Sequence, residues 1–136
     1  MPHTHFMSPL SDRDDMVRQM DPALNPGEWV FIRTNTPLPQ GIQPLMTFRE
    51  DEGLTAIMSR DTADTHELTY DLITAWLTLR VASSLEGVGL TAAVSSALAD
   101  HGIACNIVAA FTHDHLFVPA RDANRALDVL QTLARS

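Results

Sequence analysis

The stretch ITAWLTLRVAS, residues 73–83, decides how the rest of the chain can be arranged. It has apolar residues at both odd and even positions, and it is rich in the β-branched and aromatic residues that favour strands. A strand with two apolar faces is expected in the centre of a sheet. The segments on either side must therefore supply the neighbouring strands and the helices that cover them.

The segment after this strand predicts an amphipathic helix. In VGLTAAVSSALADHG, residues 88–102, Leu90, Val94 and Leu98 recur every four residues, which places them on one helical face. The alanines between them permit close packing on a sheet, and Gly102 is a natural helix end.

Three further elements complete the second half of the chain. IACNIVAAF (103–111) and LFVPA (116–120) predict strands on either side of a polar tip, and DANRALDVLQTLARS (122–136) predicts a closing helix. The order strand, helix, strand, strand, helix is that of a ferredoxin-like fold without its fourth strand. In that fold two helices cover one face of an antiparallel sheet. We expect the missing strand to come from the first half of the chain or from an exchange between the halves, and a neighbour to cover the other sheet face.

The first half repeats part of this pattern. WVFIR (29–33) and WLTLR (76–80) share the order tryptophan, apolar, any residue, apolar, arginine, and strand, turn and helix signals follow each of them. LMTFRE (45–50) and LTAIMS (54–59) predict a hairpin, but no helix fits between this hairpin and the strand at 28–34. The first half is therefore expected to be an incomplete copy of the second.

These patterns predict an α+β fold with two ferredoxin-like halves and the helices on one face of an antiparallel sheet. Residues 1–10 are expected to be a flexible tail, residues 11–70 a helix with the incomplete half, and residues 71–136 the more complete half. The helix that opens the second part has Ser11 as its predicted N-cap and is expected to end at Pro22.

Composition and charge narrow the classes of function. Nine basic against seventeen acidic residues leave a net charge of −8, which disfavours nucleic-acid binding. The single cysteine, Cys105, precludes an internal disulfide and favours a buried thiol in a reducing compartment. No apolar run approaches the length of a membrane span, and the first residues lack the features of a signal peptide. We therefore expect a cytoplasmic location and no membrane insertion.

The motif FTHDH, residues 111–115, raises the question of a metal site or a catalytic dyad. Two histidines spaced by one residue point the same way only from a strand, and a turn predicted at His113–Asp114 removes that alternation. No other histidine completes a ligand set at a familiar spacing. No nucleophile motif accompanies the pair, and the glycine patterns of nucleotide sites are absent. We expect no metal, no cofactor and no catalytic residue.

Two longer stretches carry a family resemblance. SSLEGVGLTAAVSSALADHGIACNIVAAFTHDHLFVP (83–119) resembles the ACT domain, and closely the small bacterial ACT-domain proteins once grouped as a domain of unknown function. MTFREDEGLTAIMSRDTA (46–63) resembles the preceding segment of the same group. Thr112 departs from the pattern, because a second aromatic residue often stands there. The resemblance implies a non-enzymatic regulatory module that binds a small ligand, usually an amino acid, where two ACT units pair.

The turn LEGVGL, residues 85–90, supplies a physical reason for such a site. Two glycines let a ligand approach the backbone closely, and the N–H groups that follow them can bind a carboxylate. The ammonium group of an amino acid needs an acceptor, which the polar tip offers. The predicted ligand-binding residues are Glu86, Gly87, Val88, Gly89, Leu90, Asn106, His113, Asp114 and His115.

Two functions stay open on the sequence alone. The first is regulation through amino-acid binding at an ACT-type interface, with a regulated partner protein. The second is a structural, protein-interaction module whose pocket is vestigial and whose glycines only make a tight turn. In both cases an exposed sheet edge favours a homodimer.

Overall fold

The computed structural model describes residues 12–81 and 85–136. Its strands are β1 (Pro22–Leu24), β2 (Trp29–Thr34), β3 (Met46–Glu50), β4 (Gly53–Ser59), β5 (Ile73–Leu79), β6 (Asn106–Ala109) and β7 (Asp114–Pro119). Its helices are α1 (Arg13–Arg18), α2 (Arg60–Thr65), α3 (Leu90–Asp100) and α4 (Ala123–Arg135), and a 3-10 turn at Ala120–Asp122 precedes α4.

The strands form one antiparallel sheet in the order β3-β4-β2-β5-β7-β6, with β1 also paired to β5. β5 lies at the centre of this sheet, as its two apolar faces predict. β2 pairs with the start of β5, where Val30 lies opposite Ile73, and β1 pairs with the end, where Leu24 lies opposite Leu77. Two strands from the first half of the chain therefore share one edge of β5.

This sharing completes both ferredoxin-like units. In the second half β1 supplies the missing strand, which gives the strand order β1-β5-β7-β6 together with α3 and α4. In the first half β5 acts as the fourth strand beside β2, β4 and β3, and the helix between β2 and β3 is lacking. The predicted source of the missing strand is confirmed. β1 itself was not predicted, because three residues are too few for a period-two pattern.

The helices lie on one face of the sheet. Leu77 of β5, Leu98 of α3 and Leu130 of α4 are fully buried in one hydrophobic cluster, to which α1 adds Met16 and the turn after α1 adds Met20. A smaller cluster around Val30 lies under α2. The predicted α+β class, with helices on one side of an antiparallel sheet, is confirmed.

The first helix is shorter than the sequence predicts. It spans Arg13–Arg18, and its N-cap is Asp12, whose carboxylate accepts a hydrogen bond from the N–H of Asp15 at 3.0 Å. The predicted N-cap Ser11 and the predicted tail lie outside the described residues. Asp21 follows the helix with a φ of 44°, and the chain then enters β1 where the helix was expected to end.

The face without helices is closed in part by the sheet itself. The sequence predicts that a neighbour covers this face, whereas the sheet curls on itself. Ile57 of β4 and Phe117 of β7 point away from the helices and yet are only 0% and 2% exposed. Leu45 beside one sheet edge and Val108 on the other line the same cavity, so the two edges approach each other.

The two tryptophans of the repeated motif meet on this curled face. The ring centroids of Trp29 and Trp76 are 5.1 Å apart, and their planes are 84° from parallel. Such an edge-to-face contact adds to the stability that ring burial provides. Asn25, which follows β1, donates hydrogen bonds to the carbonyl oxygen of Trp76 at 3.2 Å and to the hydroxyl of Thr78 at 2.9 Å. The similar motifs of the two halves are therefore in direct contact.

Packing of the turn after α1 on the second half predicts a large loss of stability when Met20 is truncated. Met20 is 0% exposed, so Met20→Ala leaves a cavity and should lower the free energy of unfolding by about 2–5 kcal/mol. Gln19→Ala, at the exposed neighbouring position, should change it by less than about 0.5 kcal/mol. Urea denaturation followed by circular dichroism measures both. Equal effects of the two substitutions would contradict this packing.

Candidate ligand site at the start of helix α3

The helix α3 starts at a glycine, which has no side chain to cap it. Gly89 is the N-cap residue and has a φ of +106°, which residues with a Cβ atom rarely adopt. Because glycine has no side chain, Gly89 itself donates no side-chain cap to the first turn of α3. The backbone N–H groups and the helix dipole give such a helix start a partial positive charge that attracts anions.

A cavity of about 130 Å³ lies beside this turn. Gly87, Gly89 and Leu90 form one side, and Asp114 at the start of β7 belongs to the same lining. The other lining residues come from α1, the first turn of α3, β6 and the neighbouring loops, namely Met16, Leu85, Thr91, Ala109 and Ala110. The volume is that of about four water molecules, which is enough for a small amino acid.

Arg13 of α1 lies directly on the glycine turn. A Cβ atom placed on Gly89 would be 2.8 Å from Cδ and 3.0 Å from Cγ of Arg13, so a larger residue at position 89 would displace this side chain. The guanidinium group is 3.1 Å from Oδ1 of Asp14 and stays more than half exposed. It adds a positive charge close to the start of α3, while Asp114 supplies a carboxylate to the same cavity.

The predicted ligand-binding residues fall into separate groups. The ones that line the cavity are Gly87, Gly89, Leu90 and Asp114. Glu86 and Val88 belong to the same turn, but their side chains are exposed, that of Val88 by 78%. Asn106, His113 and His115 do not line the cavity.

The position of the polar tip explains where the two histidines lie. The N–H of Ala110 donates to the carbonyl oxygen of His113 at 3.1 Å, and β7 begins at Asp114, so the turn predicted at His113–Asp114 is wrong. As neighbours in a strand, Asp114 and His115 face opposite sides of the sheet. Nδ1 of His113 lies 3.3 Å from the carbonyl oxygen of Val81.

Asn106 is too far along β6 to reach the cavity. It pairs with Phe117, whereas the cavity-lining Ala109 pairs with Asp114. Three residues of a strand span about 10 Å, and an odd spacing places the two side chains on opposite faces. Arg13, which was not predicted, lies beside the candidate site instead of Asn106. No sequence signal pointed to this arginine, because its contact with the glycine turn joins distant parts of the chain.

His115 lies in a second environment, on the face without helices. Its Nδ1 accepts a hydrogen bond from the indole N–H of Trp76 at 3.0 Å, and the hydroxyl of Thr78 is 3.2 Å from the same nitrogen. Since an indole nitrogen only donates, the proton of the neutral imidazole is on Nε2. Burial lowers the pKa of His115, and electrostatic interaction with the neighbouring His113 lowers it further, against the opposing effect of Asp114.

Other kinds of site find little support in the described part of the chain. Within residues 12–81 and 85–136, no group of three or more histidine, cysteine, aspartate or glutamate side chains is placed to hold a metal ion. Over the same ranges no helix combines the length and apolarity needed to cross a bilayer. Cys105 is half-buried, and burial raises the pKa of its thiol to about 11, which keeps it protonated and slow to react.

Comparison with known proteins identifies the family. Two ACT-domain family models match the chain in tandem, one over residues 10–75 and the other over residues 72–132. A protein of unknown function from Vibrio cholerae is 38% identical, covers 89% of this chain and 94% of its own, and superposes with a TM-score of 0.81. The chain belongs to the ACT-domain family. The predicted family is therefore confirmed.

Other solved structures share the fold of this ACT-domain protein. The regulatory subunit of aspartate kinase from Thermus flavus is 14% identical and has a TM-score of 0.62 over 82% of this chain and 95% of its own. A protein from Agrobacterium tumefaciens is 21% identical and has a TM-score of 0.62 over 79% of this chain and 84% of its own. At these identities the likeness establishes the fold alone. A search of curated proteins found no match. ACT domains are regulatory domains, and neither family model indicates a catalytic family.

The lowered pKa of His115 predicts that acid destabilises this ACT-domain protein. An unfolded histidine titrates near pH 6.5. Between that pH and the lower folded pKa, the unfolded chain binds more protons than the folded chain. The free energy of unfolding should therefore fall as the pH drops below about 6.5.

Nuclear magnetic resonance titration of the His115 ring should give a pKa below the ordinary histidine value. His115→Gln retains an acceptor for the indole of Trp76 and should weaken the fall of Tm between about pH 7 and about pH 5. His101→Gln, at the exposed end of α3, should leave that fall unchanged. If the Tm of His115→Gln falls with pH as steeply as that of the wild type, groups other than His115 cause the fall.

Proposed function

We propose that this protein is a regulatory module that binds a free amino acid in the cavity at the start of α3. Membership of the ACT-domain family supports a regulatory, ligand-binding role. The observation that carries the proposal is the cavity itself. Its lining of about 130 Å³ brings the start of α3 together with Asp114, and the side chain of Arg13 lies against Gly89 beside it.

Each end of an amino acid has a counterpart in this cavity. The ligand carboxylate would accept hydrogen bonds from the backbone N–H groups at the start of α3 and would be attracted by Arg13. The ligand ammonium group would donate to the carboxylate of Asp114. Met16 and Ala109 border the same small space, which favours a ligand with a short side chain.

Regulation also requires that the ligand favour one of two states. Arg13 and Met16 belong to α1, whereas the glycine turn and Asp114 belong to the second half of the chain. A bound amino acid would therefore join α1 to α3 and β7 and favour their close packing. The regulatory subunit of aspartate kinase, which shares this fold, supports such a role. A partner protein that contacts α1 or the turn would sense the change.

A thermal-shift screen of the twenty amino acids tests this proposal. A ligand present at 100 times its Kd should stabilise the folded state by about 2.7 kcal/mol and raise the Tm by several degrees. We expect such a rise with one or a few small amino acids. A screen without any rise would contradict the proposal.

Two neighbouring substitutions in β6 identify the site at which the ligand acts. Ala109 lines the cavity, so Ala109→Leu should fill it and abolish the thermal shift. Val108 faces the opposite side of the sheet, so Val108→Phe should preserve the shift. A shift that survives Ala109→Leu would place the ligand elsewhere. Gly89 is a poorer probe, because a side chain there would combine strain at positive φ with displacement of Arg13.

A homodimer is part of this proposal. Leu85, Val88 and Phe111 are 68%, 78% and 88% exposed, and each of them lines the cavity or adjoins a residue that does. Clustered apolar side chains on a surface mark a contact region. A second copy that covered these residues would also close the cavity over its ligand. The same surface would serve the alternative role of a pure interaction module.

Size-exclusion chromatography with light scattering tests the dimer. Phe111→Ser should shift the wild-type protein from dimer to monomer, because it removes the most exposed apolar side chain of this surface. Phe48→Ser, at the 63% exposed phenylalanine of β3, should leave the dimer intact. A wild-type protein that is monomeric at every concentration would contradict the dimer. Ligand binding in the cavity would still be decided by the thermal-shift screen.

A further inference from the structure

The curled face of the sheet contains a second cavity of about 130 Å³. Its walls come from both halves of the chain and consist of Leu45, Met46, Trp76, Val108, Ala110, His115 and Phe117. Residues beside β3 and β6, the two edges of the sheet, both contribute, so the curl of the sheet creates this space. Strands β6 and β7 separate it from the start of α3.

Aromatic rings hold the walls of this cavity in place. Trp76 is in edge-to-face contact with Trp29 at 5.1 Å, and Phe117 is in edge-to-face contact with Phe31 at 5.4 Å between centroids. Collapse of either ring into the space would break one of these contacts. Apolar cavities of about 150 Å³ bind benzene in other proteins, so a single-ring molecule fits a space of this size.

His115 gives the cavity one directional polar group. Its Nδ1 is occupied by the indole N–H of Trp76 and the hydroxyl of Thr78, which leaves the proton on Nε2. In the described ranges Nε2 has no hydrogen-bond partner. Every buried side-chain nitrogen or oxygen in those ranges does have a partner. Nε2 is therefore not buried and can be reached from the cavity. An N–H group beside an apolar space is stabilised by a ligand that brings an acceptor.

We propose that this cavity binds a small, uncharged, largely apolar molecule with one hydrogen-bond acceptor, which the Nε2–H of His115 recognises. The lining residues other than His115 carry no charge, and an ion without a partner in such a space would be strongly disfavoured. The site is therefore distinct in chemistry from the cavity at the start of α3, and it does not depend on the proposed amino-acid ligand.

The two indole N–H groups make binding visible by nuclear magnetic resonance. The chain has two tryptophans, and the N–H of Trp29 donates instead to the carbonyl oxygen of Pro26 at 3.2 Å. Pyridine, kept uncharged at mildly alkaline pH, and benzene serve as probes of equal shape with and without an acceptor. Both should shift the indole resonance of Trp76 in a saturable manner and shift that of Trp29 less.

Variants separate specific recognition from simple apolar binding. Val108→Phe should fill the cavity and abolish both shifts, whereas Ala109→Leu, on the other face of β6, should preserve them. His115→Leu should reduce the ratio of pyridine affinity to benzene affinity about five-fold, the value of one ordinary hydrogen bond. An unchanged Trp29 resonance shows that each variant is folded.

Three results would overturn this proposal. The first is probe binding that survives Val108→Phe, and the second is an affinity ratio that His115→Leu does not change. The third is a Trp76 resonance that moves with protein concentration and with neither probe, because a second copy of the chain would then cover the cavity. The thermal shift with amino acids is tested by Ala109→Leu instead. Each proposal can therefore fail without contradicting the other.

Discussion

The pairing of one edge of β5 with two different strands is the constraint on which the rest of the structure depends. β1 takes the end of that edge and β2 takes the start, so β5 belongs to both ferredoxin-like units. Because α1 leads directly into β1, this pairing also fixes α1 against α3 and α4. The position of α1 places the side chain of Arg13 against Gly89. The cation beside the candidate amino-acid site therefore comes from the first half of the chain.

Strand alternation divides the polar residues between two cavities. In β6, Ala109 lines the cavity at the start of α3 and its neighbour Val108 lines the cavity on the curled face. In β7, Asp114 and its neighbour His115 are divided between the two cavities in the same way. Ala110 lines both. A movement of β6 that widened one cavity would therefore alter the other. If both proposed ligands bind, they would act on the same short edge strand, and the sheet would thereby couple them.

Much of the fold can be predicted because its strongest signals are local. The two apolar faces of β5, the four-residue spacing in α3 and the glycine turn depend on neighbouring residues, and they lead to the family as well. β1 and the sheet curl depend on distant contacts and leave no such pattern. His115 lies in the other cavity because a small shift of the predicted turn reverses the faces of the strand that follows. The division at residues 70 and 71 and the cytoplasmic location stay predictions.

Electrostatics explains why we propose different ligands for two cavities of similar volume. The net charge of −8 repels a ligand carboxylate at long range, but salt screens exposed charges beyond about 8–10 Å. Inside that distance the start of α3 is the group that would attract the carboxylate of the proposed amino acid, and the nearby side chain of Arg13 would add to this attraction. The curled face offers no such cation among its lining residues. Selection there depends on shape and on one N–H group, which favours a ligand without charge.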